Sequence, residues 1–89
     1  MNDLDFTVDL MRSDDYKDRF KAEYWQTKKR YEKLHWMTVK YEACTLEFTL
    51  SCPLELLNEQ KAAMGLYLNR MEVRAQIERI DLFDMEVPY

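Results

Sequence analysis

No glycine and no proline interrupts residues 14–52, and the whole 89-residue chain holds only Gly65, Pro53 and Pro88. Turns that need a positive φ are therefore scarce, which excludes a many-stranded sandwich, and no glycine-rich loop exists to cradle a phosphate. Helix is what remains. Hydrophobic residues at 47% and charged residues at 34% give the balance of long amphipathic helices, too apolar for a disordered chain. A chain this short has room for one core, so residues 1–89 are read as a single all-α domain.

The first helix is expected over residues 14–40. Ser13 is a good N-cap, and Asp14 and Asp15 complement the helix dipole in the first turn. Tyr16, Phe20, Tyr24, Thr27, Tyr31 and Leu34 follow one another at spacings of 4, 4, 3, 4 and 3, an aromatic stripe that faces a partner. Lys17, Lys21, Lys28 and Glu32 occupy the opposite, solvent face. Such a helix would be on the order of 40 Å long, and a rod of that length needs a second rod beside it.

Residues 41–52, with Thr45, Phe48 and Thr49, read as an extended connection. The second helix is predicted over 53–80, capped by Cys52 or Ser51, with Pro53 in the first turn where its missing N–H costs nothing. Leu57, Met64, Leu68, Met71 and Ala75 make one apolar stripe along it, and Ala62, Leu66, Val73, Ile77 and Ile80 make another. The first helix can cover one of them in an antiparallel hairpin. The other needs another subunit, and the small residues Ala62, Ala63 and Gly65 would let helices approach closely there, so a homo-oligomer is expected.

The net charge of −4 is unevenly spread: residues 12–40 carry +4 and the rest −8. That balance argues against duplex DNA as a partner while leaving the first helix able to meet an anion. No apolar run is long enough to span a membrane and the acidic start is unlike a signal peptide, so an intracellular chain with reduced Cys44 and Cys52 is expected. Two cysteines and the single His35 do not compose a metal site, and no nucleophile stands in a motif with a base; neither metal, cofactor nor catalysis is expected. His35 reads as a packing residue.

What exceeds background is the interleaving of rings and cations in the first helix, where seven of the chain's twelve aromatics lie between Tyr16 and Tyr41. Bases stack on rings, and Lys or Arg meets phosphate, so Tyr16, Arg19, Lys21, Trp25, Lys28 and their neighbours are the residue types of a nucleotide site. The competing reading is an aromatic core stripe with a solvated basic face. Trp25 lies off the stripe and is expected either to pack on another subunit or to present an exposed ring.

The long first helix ending in YEKL, the connector, and then CPLELLNEQKAAMGLYLNR resemble the phage anti-CBASS cyclic-nucleotide sponges over about residues 13–80. Gln60-Lys61-Ala62-Ala63-Met64-Gly65-Leu66 is similar to that family's glutamine-small-methionine-leucine pattern. The resemblance implies a hexamer of interlocked hairpins in the cytoplasm of an infected bacterium. Such a hexamer binds cyclic di- and trinucleotide messengers such as cGAMP, without cleaving them, and keeps them from their effector. It also implies a dinucleotide pocket in which Lys21 holds phosphate and Phe6 or Tyr16 stacks on a base. Glu23 stands where the family has a hydroxyl, which Thr27 or Ser13 would have to replace. Arg70 or Arg74 is the candidate for a separate trinucleotide pocket. The alternative, from the residues themselves, is a helical-hairpin adaptor that binds a protein through its second apolar stripe or its acidic tail.

Overall fold

The computed structural model describes residues 15–83, and these contain two helices and no strand. Helix α1 spans Tyr16–Glu42 and helix α2 spans Leu54–Glu78. They form an antiparallel hairpin: contacts pair Tyr16 with Arg74, Glu23 with Tyr67, Tyr31 with Gly65, and Thr38 with Lys61, stepping down one helix as they step up the other. The expected pair of helices is present, each within two residues of its predicted bounds, and Tyr41 and Glu42 belong to α1 rather than to the connector.

The caps differ from expectation. Asp15, not Ser13, is the N-cap of α1: its backbone is extended and its carboxylate accepts from the Lys17 amide at 2.8 Å, adding a charge to the hydrogen bond at the positive end of the dipole. Ser13 and Phe6 lie outside the described residues. Pro53 is itself the N-cap of α2, with no side-chain acceptor, while its carbonyl accepts from Leu56 and Leu57. Its ring holds φ at −59°, and no side chain of Ser51 or Cys52 caps the helix.

Both helices stop in the same way. Thr45 N–H donates to the Lys40 carbonyl and Cys44 N–H to Tyr41, a Schellman closure with Cys44 left-handed at φ 60°. At the end of α2, Arg79 is left-handed at φ 57° and Ile80 N–H reaches back to Ala75 at 2.8 Å. Glycine normally fills such positions, and neither helix has one there.

The first stripe of α2 packs on the aromatic stripe of α1 as expected. Phe20, Tyr24, Trp25, Leu68, Met71 and Ala75 form the core, joined by Ile80 and Leu82 from the segment after α2 and flanked by Tyr31. That core sits at the end of the hairpin opposite the connector. Toward the connector, Leu34, Thr38 and Leu57 carry the burial. The connector itself, residues 43–53, is a run of turns and bends with Phe48 exposed.

Three expectations are corrected by this packing. Trp25 neither faces another subunit nor shows its ring: it is fully buried within its own chain, because residues 80–83 fold back over the side of α1 from which it projects. Lys21 lies one turn before Trp25 on that same side, so it is buried rather than solvated. Gly65 faces α1 of its own hairpin, where an added Cβ would stand 3.3 Å from the Tyr31 ring; the close approach it permits is between α1 and α2. In the second stripe of α2, Ile80 is buried while Leu66, Val73 and Ile77 are exposed.

Candidate functional site

At the mouth of the hairpin, the first turns of α1 meet the last turns of α2. Tyr16 and Phe20, four residues apart, project on one face with ring centroids 6.2 Å apart. From α2, Arg74 crosses to them: its guanidinium carbon lies 5.0 Å from the Phe20 ring centre and its Nη2 donates to the Tyr16 hydroxyl. Glu78, one turn later, accepts from Arg74 Nε at 3.2 Å. The guanidinium is thus held over the Phe20 ring by two polar neighbours, and its side chain remains about half exposed. A planar cation beside an accessible tyrosine ring can meet a phosphate and a base together.

A second polar group runs alongside. Glu23 accepts from Thr27 Oγ1 at 3.4 Å and from the Tyr67 hydroxyl at 3.3 Å, and Thr27 accepts from Arg30 at 3.4 Å. Partial desolvation raises the Tyr67 hydroxyl above its ordinary pKa of 10.0, and the neighbouring Glu23 carboxylate adds to the rise while Arg74 opposes it. Glu23, which stands where the resemblance expects a hydroxyl, therefore brings two hydroxyls with it.

Of the residues singled out from sequence, the fold brings Tyr16 and Arg74 into direct contact and places Arg19 on the exposed start of α1 nearby. Thr27 is buried beside Glu23. Lys28 is half-buried with Nζ 6.0 Å from the Tyr31 ring centre, farther along α1. Arg70 is exposed one turn before Arg74, on a face of α2 that also carries Leu66 and Val73. Lys21 and Trp25 are interior.

Trp25 donates from Nε1 to the Leu82 carbonyl at 2.9 Å and meets Tyr24 and Phe83 edge-on. His35 stacks parallel to Tyr31 at 6.4 Å, and its buried Nδ1 has no hydrogen-bond partner among the described residues.

Two participants escaped sequence reasoning. Glu72 accepts from the Tyr24 hydroxyl at 2.6 Å, and Tyr67 bonds Glu23. The first had a signal, since a tyrosine on a core stripe needs an acceptor for its hydroxyl and Glu72 adjoins Met71 on the packed stripe of α2. The second had none. A shallow depression of about 300 Å³ also opens among Ala75, Arg79, Ile80, Leu82 and Phe83, behind the Trp25 bond. Among the described residues no group of three or more His, Cys, Asp or Glu side chains is placed to hold a metal ion, and no helix is long and apolar enough to cross a membrane.

No curated protein and no solved structure matches the chain. The family model named Sequestin matches residues 14–77, which takes in all of α1 and all but the last residue of α2. This agrees with the resemblance to sequestering anti-CBASS proteins seen over the same two helices. The helical hairpin with its Tyr16–Arg74 corner thus belongs to the Sequestin family.

Proposed function

We propose that the chain is a phage anti-defence sponge that binds cyclic dinucleotide messengers, cGAMP among them, and withholds them from their effector without cleaving them. The observation that carries this reading is the family match, coextensive with the hairpin, because a family named for sequestration needs a ligand to hold. The Tyr16–Phe20–Arg74 corner supplies a ring and a planar cation in one place. A cyclic dinucleotide has two bases and two phosphates, so a pocket shared by two copies would present each element twice. Assembly as a hexamer, a separate trinucleotide pocket and action in the host cytoplasm belong to the same proposal.

The test is a melting series and calorimetry with cyclic di- and trinucleotides at micromolar concentration. A ligand that binds only the folded protein stabilises it by about 2.7 kcal/mol at a hundred times Kd, and the nucleotide should be recovered intact after heat denaturation. Arg74→Ala should weaken binding tenfold to a hundredfold, in line with the roughly 1.5 to 3 kcal/mol of a hydrogen bond to a charged group. If no cyclic nucleotide shifts the melting curve, or if Arg74→Ala, Arg19→Ala and Lys28→Ala all bind like the parent, the adaptor reading replaces this one.

A further inference from the structure

The face of α2 turned away from α1 has a regular seam. Leu56, Ala63, Leu66, Val73 and Ile77 are all exposed, three of them more than half, and with Glu59 and Arg70 they fall at spacings of 3, 4, 3, 4, 3 and 4. That is a heptad repeat in which 56, 63, 70 and 77 take one core position and 59, 66 and 73 the other, the pattern by which one helix packs along another. The first stripe of α2, already used against α1, lies elsewhere on the helix. Exposure of this kind on five apolar residues in line is a surface that water does not favour.

The seam also names its partner. It has one acidic position, Glu59, and one basic position, Arg70, placed symmetrically about a midpoint between Ala63 and Leu66. Turned over by a two-fold axis through that midpoint, the seam fits itself from Leu56 to Val73, with Ile77 beyond the paired stretch. Leu56 then meets the partner's Val73, Ala63 meets the partner's Leu66, and Glu59 meets the partner's Arg70, each pair joining one heptad position to the other as antiparallel helices require. A parallel pairing would set Arg70 against the partner's Arg70 and Glu59 against the partner's Glu59, both repulsive.

We propose that α2 pairs antiparallel with α2 of a second copy in this register, and that Arg70 and Glu59 fix its orientation. Arg70 is thereby a residue of the subunit interface and not a phosphate ligand. The pairing holds whatever ligand the chain sequesters, so failure of ligand binding leaves it standing.

The test uses the full chain with Cys44 and Cys52 replaced by serine, since both are free thiols. Leu56→Cys chains mixed with Val73→Cys chains should form a disulfide-linked pair on mild oxidation, whereas either variant alone should not. In the antiparallel register the two copies of residue 56 stand on the order of 25 Å apart along the coil. Glu59→Arg or Arg70→Glu should each weaken association at least tenfold in sedimentation, and the two together in one chain should restore it. All four positions are exposed, so circular dichroism should stay unchanged. Self-linking of Leu56→Cys, a parent chain that sediments as a monomer at micromolar concentration, or no rescue by the double charge swap would each overturn the proposal.

Discussion

Trp25 shows how one residue can satisfy two demands at once. Its ring fills the core and its N–H finds the Leu82 carbonyl, so its own buried donor is paired. Trp25→Phe should remove the donor, leave that carbonyl buried without a partner and leave part of the ring volume empty. A loss of about 1 to 3 kcal/mol is expected in urea denaturation with little change in helix content; a loss within 0.5 kcal/mol would mean that water replaces the bond. At this scale the sequence was only half legible. Spacing identified Tyr24 and Phe20 as core because a helix repeats its faces, but Trp25 lies on a face whose cover comes from residues 80–83, more than fifty positions away. Helical periodicity carries no information about such a cover. Arg74 and Tyr16 were both recognised by residue type, whereas their contact, 58 positions apart, depends on the hairpin's register.

The elements themselves were legible because their signals are local. Scarcity of Gly, apolar stripes, Pro53 at the start of α2 and acidic first turns all act within a few residues, and they placed both helices. The exact stops were harder, since a chain with one glycine must end its helices on other residues. Cys44 and Arg79 take the left-handed conformation at a steric cost of roughly 1–2 kcal/mol each, of which glycine would return a part as backbone entropy on unfolding. Arg79→Gly should therefore raise stability by about 0.5 to 1 kcal/mol, as should Cys44→Gly, and the two should add because they close different helices. Thermal melts would show it. A destabilised Arg79→Gly would mean that the arginine side chain contributes more than its backbone strain removes.

For the whole molecule, one hairpin covers one stripe of α2 and leaves the other to water, with Leu66 at 58% and Ile77 at 75% exposure. A family whose members sequester a ligand gains from that, since pairing hairpins can build a pocket larger than either copy offers alone. Three of the bonds that hold the hairpin shut span 48, 57 and 58 positions and gather toward its mouth, while the connector end has the Lys61–Thr38 bond and fewer buried groups. This has a mechanical meaning. A pull applied at residues 15 and 83 loads the Tyr16–Arg74 and Trp25–Leu82 contacts first, and once these part the remainder of the zipper is weaker than what has already failed. A single hairpin stretched from those points should rupture in one event with no resting state between closed and open; a persistent half-open state in the force trace would show that the connector end holds by itself. The protein is a clasp, strong at its opening and slack at its hinge.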